Sequence, residues 1–314
     1  MMQKQQEVTP MSKKPSDVFS FGQALVQDRN TLRVVAQADE INRRGAPNTT
    51  LMKWQLHENR RTDFFLNWCV GPIALAQTPN FQYFAAGPDG RCAVADLQTH
   101  HIEQIGTPTS GPSIHGAIRD IRWIDGALYA TGMSRQVYRR TQRGTWDHVD
   151  QGVLLRPNLG TTVGFNSIAG TRADDLVCVG FGGQVYAFDG RQWAAQDSCT
   201  NVTLNRVKAV PQGMIACGQM GTLLLRQQGR WINLLQDDVK QQIWDVEWFG
   251  DRLYFATEEA LYTLESGGLA TQVEIDPDRE LSFGFLHSND GVMISSGTKH
   301  VFWTSDGKQW HELT

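Results

Sequence analysis

The sequence predicts an all-β protein, a β-propeller of seven four-stranded blades with six as the alternative. Two series of residues carry that prediction. In the first, a glycine closes an apolar run in "LYATG" (Gly132), "LVCVG" (Gly180), "MIACG" (Gly218) and "MISSG" (Gly297). The first three lie 48 and 38 residues apart, and the 79-residue gap to the last holds a further copy, "LYFAT", with Thr257 in the glycine's place. In the second, an apolar position recurs as Ile121, Ile168, Val207, Val246 and Phe285, spaced by 47, 39, 39 and 39 residues. Periods of about 20 to 50 residues mark arrays of one supersecondary unit, and units of short strands arranged radially make propellers.

Each unit reads as four strands. The inner strands are "IRDIRW", "FNSIAG", "NRVKAV", "IWDVEW" and "SFGFLH", and the second strands end at the glycine series. Third strands read "QVYR", "QVYA", "TLLL", "ALYT" and "HVFW". The fourth begins at a tryptophan (Trp146, Trp193, Trp231, Trp310) after a Gly or Asp-Gly turn, with Leu269 standing in once. Glycine supplies the left-handed backbone of a tight hairpin, and the indole is expected to cover the edge between neighbouring blades. A sixth unit lies in "PIALAQ", "YFAAG", "CAVADL" and "HIEQIG", and a seventh, irregular one between residues 18 and 70. The segment "LLQDDVKQQIW" (234–244) alone offers a helical turn or two. The domain reading is a disordered tail over 1–17 and a single propeller domain over 18–314.

The turns "TSDGKQW" (304–310) and "FDGRQW" (188–193) resemble the Asp-box of sialidase-like (BNR-type) propellers, through Thr304, Asp306, Gly307 and Trp310 in the fuller copy. In that superfamily the box ties a turn together by Asp-to-backbone hydrogen bonds, so the resemblance implies a fold and not an activity. The arginine clamp and Tyr–Glu pair of the sialidases have no counterpart here. The chain looks more like the non-catalytic members, photosystem-assembly factors and other bacterial binding proteins.

Composition narrows the function classes. A net charge of −4 and pI near 6.1 argue against a nucleic-acid partner. No apolar stretch approaches a membrane span, and the polar N-terminus lacks the apolar core of a secretory signal, so a cytoplasmic protein is expected; the sequence leaves the oligomeric state open, with a monomer favoured. Five irregularly spaced cysteines, three of them in apolar runs, read as reduced core residues. The eight histidines show no metal-ligand spacing, and no nucleophile elbow or phosphate loop occurs, so neither cofactor nor metal is expected.

The leading expectation is non-catalytic binding of a protein partner, as an immunity-type inhibitor or an assembly factor. In propellers the loops after the second and fourth strands share one face. Here two of them are long, residues 106–116 and 151–164. The residues singled out for partner binding are Leu154, Leu155, Arg156 and Leu159, then His115, Arg119, Asn166, Asn205, Arg206 and Trp244. The alternative is a hydrolase or lyase acting on a sugar or lactone in the central channel. Its acids would be Asp120 and Asp245, which sit on blades that are not neighbours and would need a metal or substrate to bridge them.

Overall fold

The computed structural model describes residues 14–78, 80–156, 163–235, 239–276 and 279–314. Among them are seven four-stranded antiparallel sheets, each built from four consecutive strands, so the fold is a seven-bladed β-propeller. Blade 1 comprises Phe19–Asp28, Thr31–Ala38, Thr49–Gln55 and Arg60–Leu66, the irregular N-terminal unit of the sequence. Blades 2 to 7 open with Ile73–Ala76, Ile118–Ile124, Phe165–Arg172, Leu204–Val210, Ile243–Phe249 and Phe285–Asn289. Two short helices, Asp39–Arg43 and Pro112–His115, sit in connections, while the described residues of 234–242 form no helix. The contacts divide into two compact units, Met1–Val70 with Glu247–Thr314, and Gly71–Val246.

The glycine series has a steric cause. A Cβ at Gly132, Gly180, Gly218 or Gly297 would lie 2.2, 1.9, 2.2 or 1.6 Å from the carbonyl oxygen of Ala117, Gly164, Thr203 or Ser282. That oxygen belongs to the chain just before the same blade's inner strand, so in these four blades a side chain would clash where the two strand ends meet, whereas blade 6 carries Thr257 at that place. The apolar series is buried in blades 3 to 6: Ile121, Ile168, Val207 and Val246 are all fully enclosed. In blade 7 the register differs by one residue. Leu286, not Phe285, pairs with Ser295 and is buried, because Phe283 and Leu286 enter one apolar cluster three residues apart. That spacing breaks the strict alternation of a strand.

In the 71–246 unit the tryptophans bind each blade to its predecessor. Trp193 Nε1 donates to Val149 O (2.6 Å), and Trp231 Nε1 donates to Gln196 Oε1 (3.0 Å). Trp146 packs with Phe84, Val94 and Ile105 of the preceding blade. Leu269 does not repeat this role: it is 52% exposed, too short a side chain to reach across an edge that an indole spans. The Asp-box-like turns show their expected bonds. Asp306 Oδ1 accepts from the N–H groups of Lys308 and Gln309, and Asp189 Oδ1 from those of Arg191 and Gln192.

In the other unit, blades 1 and 7 meet first strand to first strand. Each supplies all four of its own strands, so this seam is held without a shared strand. Phe21 N–H donates to Thr298 O (2.9 Å), Ser296 Oγ to Gly22 O (2.8 Å) and Val26 N–H to His287 Nδ1 (3.1 Å).

Candidate functional site

The site residues of the 71–246 unit follow from strand register. Two positions before the buried series stand Arg119, Asn166, Asn205 and Trp244; one position before it stand Asp120, Ser167, Arg206 and Asp245. Neighbouring strand residues point to opposite faces, so the two sets part company.

The second set forms a buried polar network. Arg206 Nη1 is 3.2 Å from Asp120 Oδ1, and its Nε is 3.6 Å from Asp245 Oδ1. Ser167 Oγ donates to Asp120 Oδ2 (2.7 Å), Lys208 Nζ lies 2.9 Å from Asp245 Oδ1, and Arg122 Nε lies 3.3 Å from Asp120 Oδ2. Burial works against the Arg206 charge, but Asp245 and Asp120 outweigh it and raise the guanidinium pKa. The bridge between the two aspartates, on blades 3 and 6, is therefore a protein side chain from blade 5. Among the described residues no cluster of three or more His, Cys, Asp or Glu side chains could hold a metal.

The first set divides. Asn166 and Asn205 are committed to the framework, each side-chain amide donating 2.8 Å to the first carbonyl of the next inner strand (Leu204 O, Ile243 O). Arg206, 8% exposed, is committed to the network instead of the loop face. Arg119 is exposed and stacks over Phe181 (5.4 Å), and Trp244 is 40% exposed. Arg156 is exposed, Leu154, Leu155 and His115 are half-buried, and Leu159 lies outside the described residues.

Sequence reasoning passed over three residues on the turns and loops of this face. Met220 is 75% exposed, Ile114 is 46% exposed, and Arg135 stacks 4.7 Å over Tyr186 while donating to Gln184 Oε1. The turn after the second strand shows why they stand out. In blade 4 it holds Gly182 and Gly183 at φ 62° and 71°, a backbone that suits glycine. Blade 3 places Ser134 and Arg135 there at φ 56° and 60°, and blade 5 places Met220 at φ 54°. A non-glycine residue in that region costs roughly 1 kcal/mol, and such strain concentrates where function retains it. The signal was legible as "GMSRQ", "GFGGQ" and "GQMGT" in one repeat slot.

Fold and site thus define a β-propeller whose inner carboxylates are tied up by its own cations and whose loops display apolar and cationic side chains. The chain is 31% identical over 309 residues to "Immune protein Tsi7" of Pseudomonas aeruginosa, spanning 96% of this chain and 100% of that one. It belongs to that family of immune proteins. No family model matches the sequence, so membership of the Asp-box superfamily has no such support. Solved structures share the fold at low identity. A catalytically inactive virginiamycin B lyase from Staphylococcus aureus with quinupristin gives a TM-score of 0.72 at 10% identity, over 96% of this chain and 98% of that one. YCF48 bound to D1 peptide gives 0.67 at 14%, over 91% and 93%. No helix among the described residues is long and apolar enough to cross a membrane.

Proposed function

We propose that this protein is a cytoplasmic, monomeric and non-catalytic immunity protein that binds a toxin protein and blocks it. The observation that carries the reading is the near full-length match, at 31% identity, to an immune protein. The proposed contact surface is the loop face of the 71–246 unit, centred on Ile114, Arg119, Arg135, Arg156, Met220 and Trp244. Met and Trp exposed beside stacked arginines have the composition of interface hot spots, and two of these residues, Arg135 and Met220, stand on left-handed turns. The channel hydrolase or lyase is the weaker reading, because Arg206 joins the two acids it would use.

The test is to express toxins of the source bacterium singly, with and without this protein, scoring survival and a co-eluting complex by gel filtration. Expected is rescue by one toxin's partnership, with both rescue and complex lost in Trp244→Asp and Met220→Asp proteins of unchanged Tm. Rescue without any complex would sink the binding reading. A complex indifferent to both substitutions would move the contact off this face.

A further inference from the structure

Arg122, Arg140 and Arg226, all half-buried, each pair with a carboxylate of the 71–246 unit. They lie 3.3 Å from Asp120, 2.8 Å from Glu103 and 3.4 Å from Asp175. Arg119 and Arg135 do not follow that pattern. Arg119, on the inner strand of blade 3, makes no hydrogen bond or ion pair among the described residues, and its guanidinium lies 5.4 Å over the Phe181 ring. Arg135 gives its Nε to Gln184 Oε1 at 2.9 Å and lies 4.7 Å over Tyr186, while its two Nη groups donate to nothing among the described residues. Both guanidiniums of blade 3 thus rest on one segment of blade 4, residues 181–186. The same segment carries Gly182, exposed, where an added Cβ meets nothing within 4 Å, so the surface is open to approach.

Two causes lower the Arg119 pKa, partial desolvation first and the charge of Arg206 second, and no carboxylate opposes them. The acids of the adjoining loops are already engaged. Asp150 is buried and holds His148 Nδ1 at 3.0 Å, and the other ring nitrogen lies 2.9 Å from Ser110 O. Asp197 Oδ1 accepts from Cys199 N–H at 2.9 Å. An arginine stacked on an aromatic ring has its planar fork held ready, so less side-chain entropy is lost when a carboxylate binds. A cation partly stripped of water and lacking a counter-charge gains most from one that a partner supplies.

We propose that the partner bound by this face presents a carboxylate-rich protein segment to the seam of blades 3 and 4, where its Asp or Glu side chains pair with Arg119 and Arg135. This rests on the toxin-binding reading and names the chemistry of the contact. The chain carries a net charge of −4, so an acidic partner is drawn to this patch and not to the surface at large.

The test has two arms. In the first, the side-chain Nε–H NMR signals of the arginines are followed as hexaglutamate is added, with hexaglutamine as the control. Expected are shifts at Arg119 and Arg135 ahead of Arg143 and Arg230, exposed arginines that also have no acid partner among the described residues, and none with hexaglutamine. Equal shifts at all four would mean charge alone and would overturn the proposal. Tighter binding of a thymidine hexanucleotide at the same two residues would assign the patch to phosphate and overturn it likewise. In the second arm, the toxin that this protein rescues is bound to wild-type and variant proteins by biolayer interferometry, with Tm checking each fold. Arg119→Gln and Arg135→Gln should each weaken the complex at least about thirtyfold, the range of an interface hot spot. Arg119→Lys should recover little, because an ammonium cannot form the fork, and the wild-type association rate should fall as salt rises. Unweakened binding by both variants would overturn the proposal and leave the immunity reading intact. If no toxin is rescued, that reading fails, and the peptide arm alone decides whether the patch takes carboxylates.

Discussion

Arg206 and Asp120 make an ion pair of 3.2 Å across 86 residues of sequence, with the guanidinium 10% exposed and the carboxylate fully buried. The same guanidinium reaches Asp245 at 3.6 Å, so one cation sits between two carboxylates from inner strands on either side of its own. Removing one member of such a set leaves buried charge without compensation, and that costs more than the set itself contributes. Arg206→Met is expected to destabilise the protein by about 3–5 kcal/mol in urea unfolding. Adding Asp120→Asn to Arg206→Met should restore part of that loss. A loss under about 1 kcal/mol for the single variant, the range of a surface pair, would show that the network is not what holds these strands.

The repeat glycine offers a sharper contrast. At Gly180 an added Cβ meets a backbone oxygen at 1.9 Å, whereas at Gly71 it meets nothing within 4 Å and φ lies outside the left-handed region. Gly180→Ala is expected to lower stability by about 3 kcal/mol, the upper end for overpacking because a carbonyl in a strand cannot swing aside. Gly71→Ala should be neutral or stabilising by up to about 1 kcal/mol, through the unfolded chain. Thermal unfolding of both proteins decides it, and equal losses would refute the steric account of the period.

These two cases mark what was legible in the sequence. The glycine series and the buried series reflect local geometry, since the clash recurs at Gly132, Gly180, Gly218 and Gly297 and the apolar position is buried in blades 3 to 6. The tryptophans were readable for the same reason. The destinations of Arg206 and Leu269 were not. An arginine can reach solvent or a neighbouring blade from one register position, and its choice depends on acids 86 and 39 residues away. Leu269 occupied the slot of an indole without its reach. The slip from Phe285 to Leu286 arose where Phe283, ahead of the strand, takes a place in the cluster that alternation alone would leave empty. His148 and Asp150, two residues apart in "WDHVD", could have been seen as sharing a side. Their partner Ser110 lies in a loop with no periodicity to announce it.

His300 ties stability to pH. It is 2% exposed, burial depresses its pKa to about 4 from an ordinary 6.5, and its Nε2 has no partner among the described residues. The folded state therefore prefers the neutral ring, and between about pH 6.5 and 4 the unfolded chain binds the extra proton. Stability from this residue is complete above pH 6.5 and falls as pH drops toward 4, by on the order of 3 kcal/mol for the whole shift. His300→Phe should flatten the slope of urea-derived stability over pH 4 to 6.5. A slope unchanged by that substitution would assign the acid sensitivity to other groups.

The seam between blades 1 and 7 depends on a few named bonds, because neither blade lends the other a strand. Val26 is fully buried, and its N–H donates to His287 Nδ1 at 3.1 Å, which fixes the neutral ring with its proton on Nε2. Replacing that acceptor with an apolar side chain of similar size leaves the N–H unsatisfied, at a cost of about 1–3 kcal/mol. His287→Leu is expected to show that loss in urea unfolding. Amide exchange at Val26 should accelerate in step with the global opening rate alone if the seam opens only when the fold does. It should accelerate far more if first and last blades part locally, as the absence of a shared strand makes possible. Hydrogen exchange of the folded protein, read at Val26, Phe21 and the blade 7 amides together, separates the two. Uniform exchange across all three would mean that Phe21–Thr298 and Ser296–Gly22 suffice to close the seam without His287.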